Sequence, residues 1–78
     1  MRRLRQTIKV VADADGRPLQ FTTRYDTYRV TQILETWREG SAWWAGEVPR
    51  WFFRVEAGGT FDLSHGDDGD WRLEVAWD

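Results

Sequence analysis

The sequence predicts an all-β domain, a curled antiparallel sheet or small barrel of six or seven short strands. Three observations point there. Trp71, Leu73, Val75 and Trp77 alternate with Arg72, Glu74, Ala76 and Asp78, the period of two that gives a strand one apolar face. Two further apolar runs, Trp51–Glu56 and Thr60–Ser64, flank Ala57-Gly58-Gly59, a turn signal. The remaining β-branched and aromatic stretches are separated at short intervals by Gly- and Asp-rich segments.

In chain order, Thr7-Ile8-Lys9-Val10-Val11 is β-branched and strand-like, and Asp13-Ala14-Asp15-Gly16-Arg17-Pro18 is a turn. Leu19, Phe21 and Thr23 alternate in a second strand that turns near Tyr25-Asp26, and Tyr28-Arg29-Val30-Thr31 returns. The next stretch supports two readings. Val30, Ile33, Leu34 and Trp37 have the spacing of a helix face, and Gly40 could cap its end, giving an α+β alternative with one short helix at about 31–39. Tyr28, Val30, Thr31 and Ile33 favour a strand with an irregular end, which is the preferred reading. Trp43–Val48 reads as another short strand. Pro18 and Pro49 each precede an apolar stretch, a position that suits the first residue of a strand.

The hairpin at Ala57-Gly58-Gly59 allows its register to be argued. A two-residue loop would set Val55 opposite Asp62. A three-residue loop sets Val55 opposite Phe61 and Phe53 opposite Leu63, which collects the apolar side chains on one face. The second register is therefore expected, with Gly59 left-handed. Trp51, Phe53 and Val55 then point inward, and Phe52 and Arg54 point out.

Seventy-eight residues make one domain, 1–78, and a chain of that size buries only about 60–65 % of the surface its unfolded form exposes. It has no cysteine, so disulfides, Fe–S clusters and zinc–thiolate sites are excluded. Burial of its six Trp, four Phe and two Tyr is the remaining source of stability. The net charge of −2 argues against a general nucleic-acid binder. Basic side chains nevertheless prevail before residue 31 and acidic ones after it. Arginine outnumbers lysine ten to one, a usage typical of GC-rich bacterial genomes. Met1-Arg2-Arg3-Leu4-Arg5 begins like a signal sequence, but Lys9, Asp13 and Asp15 break the apolar stretch such a signal needs next, and no run approaches the roughly 18–20 apolar residues of a membrane span. A cytoplasmic location and no membrane partner are expected.

No residue pattern selects a catalytic site. His65 is the single histidine and lies in a Gly/Asp-rich turn. Asp67, Asp68 and Asp70, like Asp13 and Asp15, do not complete a calcium loop, and no phosphate-binding loop or nucleophile elbow is present. Neither enzyme activity nor a cofactor is expected. Aromatic and arginine content is the informative feature. Trp43, Trp44, Arg50, Trp51, Phe52 and Arg54 lie close in sequence, and a strand can turn only every second one inward. Trp43, Trp44, Arg50, Phe52 and Arg54 are thus the candidate binding residues. Tryptophan and arginine are enriched where proteins meet, and aromatics beside cations also bind single-stranded nucleic acid.

A set of residues also carries a resemblance: Asp15-Gly16-Arg17-Pro18, Phe21, Tyr28-Arg29-Val30, Ile33-Leu34, Trp37-Arg38, Trp43-Trp44, Arg50, Phe53-Arg54-Val55-Glu56, Phe61, Leu63, Trp71, Leu73 and Asp78. Over residues 13–78 the chain resembles a small bacterial domain of unknown function that is similar to the C-terminal segment of ImuB-like proteins, relatives of the Y-family DNA polymerases. The resemblance implies an accessory or adaptor role beside DNA damage tolerance, exerted through protein contacts, and carries no polymerase residues. The first expectation is thus a non-enzymatic module for a protein partner or self-association, and the second a small single-stranded nucleic-acid-binding barrel.

Overall fold

The computed structural model of the chain describes residues 1–40 and 43–77, Trp43 by its backbone alone. Eight strands run through them: β1 (Arg2–Thr7), β2 (Lys9–Ala12), β3 (Pro18–Thr22), β4 (Thr27–Arg29), β5 (Gln32–Glu39), β6 (Arg50–Glu56), β7 (Thr60–Gly66) and β8 (Trp71–Trp77). They form a five-stranded sheet in the order β1-β8-β7-β6-β5 and a three-stranded sheet in the order β2-β3-β4, all pairs antiparallel. The all-β expectation holds. The sheets do not close into a barrel, which corrects that part of it, and the strands number one more than the upper expectation.

The expected hairpin register is the observed one. Val55 stands opposite Phe61, Phe53 opposite Leu63, and Glu56 opposite Thr60, leaving Ala57 to Gly59 as the loop. The left-handed residue is Gly58 at φ 74°, not Gly59.

Three other expectations are corrected. Residues 31–39 are not helical. A bulge between Ile33 and Glu35 lifts Leu34 out of the pairing, so that Ile33 and Thr36 share one face and Trp37 the other. That extra residue is what gives the apolar positions their helix-like spacing. Trp43–Val48 is not a strand, because Trp43–Ala45 forms one 3₁₀ turn and Gly46 follows at φ 82°. The single strand expected over Thr7–Val11 divides at Ile8. Thr7 ends β1 in the large sheet and Lys9 opens β2 in the small one. Ile8 is the buried seam, its amide donating to the Trp71 carbonyl at 3.1 Å.

The small sheet covers one face of the large one. Ile8, Phe21, Phe53, Val55, Ala57, Leu63 and Leu73 form the buried centre, with Leu4, Tyr28, Ile33, Phe61 and Trp71 packed around it. Phe21 is fully buried and joins the layers, stacked on Tyr28 of its own sheet at 4.9 Å and edge-on to Phe61 of the other at 5.4 Å. Truncating such a ring removes both transfer energy and packing, roughly 3–5 kcal/mol for Phe to Ala. For a domain this small that is most of its stability. Phe21→Ala is expected to abolish the cooperative thermal transition followed by near-ultraviolet circular dichroism. Retention of a native-like transition would contradict the assignment of Phe21 as the junction of the layers.

Candidate interaction surface

The opposite face of the large sheet is left uncovered by the small one, and a bulge determines what stands on it. Asp62 pairs with Val75, but the next residue, Leu63, pairs with Leu73, so β8 carries one extra residue at Glu74. Strict alternation would keep Trp71, Leu73, Val75 and Trp77 on one face. The bulge divides them. Trp71 and Leu73 stay with the core, whereas Val75 and Trp77 turn to the uncovered face beside Asp62 and Thr60. This corrects the single apolar face read from β8.

On that face Trp37 of β5 lies directly opposite Phe52 of β6, and their rings stack at 5.4 Å and 13°. The Arg54 guanidinium lies over two indoles, 5.4 Å from the Trp37 ring and 4.6 Å from that of Trp77. Cation–π contacts of this kind contribute about 0.5–2 kcal/mol each, more as water is removed. Arg54 also forms a fork with Asp62, Nε to Oδ1 at 2.8 Å and Nη2 to Oδ2 at 3.1 Å, and Nη1 reaches Glu35 at 3.4 Å. The Asp62 hydrogen bonds, ahead of the opposing effect of burial, raise the Arg54 pKa above its ordinary value. Asp62 is only 4 % exposed, so its carboxylate depends on this one arginine.

Arg50 has a different place. It is buried at the end of the same face, its Nε donating to Ser64 Oγ at 2.9 Å and its Nη2 to the carbonyls of Ser64 and Asp70. Ser64 Oγ in turn donates to Glu74 at 2.7 Å. Arg50 Nη1 has no hydrogen-bond partner among the described residues and lies 3.6 Å from the Asp70 carboxylate. Gly66 makes the room: a Cβ there would stand 2.6 Å from Nη1. Arg50 therefore ties β6, β7 and the turn into β8 together.

Of the residues singled out from sequence, Phe52 and Arg54 do point away from the core as expected, half-buried in this face. Trp44 is 75 % exposed in the turn before β6. The side chain of Trp43 lies outside the described residues, as do Ser41 and Asp78. Trp51 is on the core side of β6, yet it extends past the small sheet, 44 % exposed beneath Arg38 at 5.3 Å. His65 lies flat on Trp71 at 4.2 Å, not loose in a turn. Trp37 and Trp77 were not foreseen as site residues, and Arg3 and Arg5 were expected only as part of the basic groove that the nucleic-acid alternative requires. With Met1, Phe52 and Arg54 these four line a groove of about 290 Å³ across the face. The Arg54–Asp62 pair was legible, since the expected register already set the two opposite each other.

The groove's β1 wall carries one backbone strain. Arg5 has φ 45°, in a bulge between Arg3 and Gln6, where glycine is the usual occupant. Holding a non-glycine residue there costs roughly 1–3 kcal/mol.

Compared with known proteins, the chain matches over residues 1–78 the model of a family described as Domain of unknown function (DUF6504). The chain belongs to this family. No curated protein matches it, and no solved structure does. For this DUF6504 member the site must accordingly be read from its own geometry. Among the described residues there is no group of three or more His, Cys, Asp or Glu side chains placed to hold a metal ion, and no helix long and apolar enough to cross a membrane.

Two measurements test this geometry. Arg54→Met leaves the buried Asp62 carboxylate unpaired and is expected to cost roughly 1–3 kcal/mol. Adding Asp62→Leu should recover part of the loss, so that a denaturant double-mutant cycle is non-additive; additivity would contradict the pairing. Elsewhere, the Arg38 hydrogen bond holds Asp67 below the usual 3.8, and the Arg17 amide does the same for Asp13. A depressed carboxylate stabilises the fold fully above its unfolded value and ceases to as pH falls through its folded one. Carboxyl carbon NMR titration is expected to place both midpoints below 3.8. Midpoints at or above that value would contradict these contacts.

Proposed function

We propose that the chain is a non-enzymatic interaction module that binds a protein partner across the uncovered face of its large sheet. The observation that carries this reading is the Arg54 guanidinium held between Trp37 and Trp77, beside the Trp37–Phe52 stack, on a face the small sheet leaves open. Tryptophan and arginine contribute most to binding when they are held rigidly, because little side-chain freedom is then lost on association. Here Arg54 is fixed by its fork with Asp62 before any partner arrives.

The charge of the groove favours protein over nucleic acid. Its lining sets Arg3, Arg5 and Arg54 against Glu39, Asp62 and Glu74, an even balance that suits a mixed surface better than a polyanion. Base stacking also needs open ring faces, and Trp37 already gives one of its faces to Phe52 and Trp77 one of its faces to Arg54, which leaves less of each ring for a base. The resemblance of residues 13–78 to the ImuB-like C-terminal segment supports a partner among the proteins of DNA damage tolerance, with the chain as an adaptor.

The immobilised chain is expected to retain a specific protein from extracts of damage-treated native cells, and a Trp37→Ala/Trp77→Ala variant to retain it at least tenfold less. Equal retention by the variant would remove the face from the account. In a parallel titration with labelled oligothymidylate at low salt, no saturation is expected; tight binding that weakens steeply with salt would favour a nucleic-acid role instead.

A further inference from the structure

We infer that the segment received by this groove is an extended acidic peptide of the partner, its carboxylates meeting Arg3 and Arg5 while its apolar side chains lie over Phe52 and Trp77. The inference rests on the interaction-module reading and goes on to name the partner's chemistry.

Although the charges lining the groove balance in number, they do not balance in availability. Each carboxylate there is already engaged: Asp62 by Arg54, Glu74 by the Ser64 hydroxyl, and Glu39 by the Trp37 indole N–H at 3.0 Å. Arg54 is engaged in turn. The side chains of Arg3 and Arg5, both exposed, have no hydrogen-bond or ion-pair partner among the described residues. The groove therefore offers an incoming ligand two uncommitted guanidiniums along one wall and an aromatic floor beneath them. Guanidinium groups bind carboxylates as planar forks, and the floor favours apolar neighbours.

The strand backbone sets where the two arginines stand. Arg3 is paired in the ladder opposite Val75 on the uncovered face, and Arg5 lies in the bulge that follows; both line the groove, so β1 presents them to the same side. Arg5 also borders a second groove, but there Arg50 and Arg72 are offset by Glu47, Asp68 and Glu74, and Arg72 is bonded to Asp70, so the available positive charge is that of Arg3 and Arg5. Two cations two residues apart along an edge strand match an extended segment, whose alternate side chains repeat at the same spacing, better than a single side chain.

The test is a selection from a displayed library of random twelve-residue peptides on the intact chain, followed by fluorescence polarisation with the recovered peptides. Recovered sequences are expected to contain two or more Asp or Glu within a six-residue window beside apolar residues. Their affinity should fall at least tenfold in R3E/R5E, be largely kept in R3K/R5K, and fall also in Trp77→Ala. Circular dichroism checks that the charge-reversed chain is folded, which its exposed positions favour. If the recovered peptides are neutral or basic yet still depend on Trp77, the acidic-peptide inference fails and the module reading stands. If no peptide is recovered, or those recovered ignore both Trp77→Ala and R3E/R5E, the groove is not a peptide site and both fail. Displacement of a recovered peptide by oligothymidylate at equal concentration would also overturn the inference.

Discussion

A one-residue offset between β7 and β8 organises this molecule. Antiparallel pairing forces side chains to alternate between faces, so an extra residue on one strand reverses the assignment of everything beyond it. The offset at Glu74 lets β8 contribute Trp71 and Leu73 to the core and then Val75 and Trp77 to the opposite face. Without it the last indole would be on the covered side and Arg54 would lack its second aromatic partner. A comparable offset at Leu34 keeps Ile33 with the core while turning Trp37 outward. The two bulges flank β6 and β7 in the sheet, and they frame Phe52 and Arg54 from both sides.

The uncovered face is stiffened by polar contacts rather than by a second apolar layer. Arg50, Asp62 and Ser64 are buried there, and each finds partners on a neighbouring strand. Such groups add little net stability, because their desolvation offsets most of what the contacts return. Their effect is on uniqueness: a slipped register would leave Asp62 or Arg50 buried without a partner, and that penalises alternatives to the native pairing. A 78-residue chain with no disulfide has little apolar burial to set against competing registers. In this way the same side chains that specify the sheet also fix the aromatic rings a partner would meet.

Much of this was legible from the residues themselves. The β6–β7 hairpin could be derived to its register, because only one loop length collects Phe53, Val55, Phe61 and Leu63 on one face. The outward direction of Phe52 and Arg54 and the opposition of Arg54 to Asp62 came with that register. The bulges were not legible, since an extra residue leaves no mark in a hydrophobic pattern except a false period. At Ile33-Leu34 that false period imitated a helix, and at Val75 and Trp77 it imitated an unbroken apolar face. β1 escaped notice because an exposed edge strand rich in arginine lacks apolar alternation, and Ile8 because a strand passing from one sheet to another reads as continuous. The Trp43–Ala45 turn was misread as a strand because paired tryptophans favour β structure when nothing else constrains them.

Nuclear Overhauser contacts of the Trp77 indole test the central claim most directly, because they report which face of the sheet the ring occupies. Cross-peaks from Trp77 to the Arg54 side chain, alongside those from Trp37 to Phe52 and from Trp71 to Phe53, are the predicted result. Cross-peaks from Trp77 to Tyr28 or to the ring of Phe61 would return it to the covered side, and the aromatic surface around Arg54 would not exist.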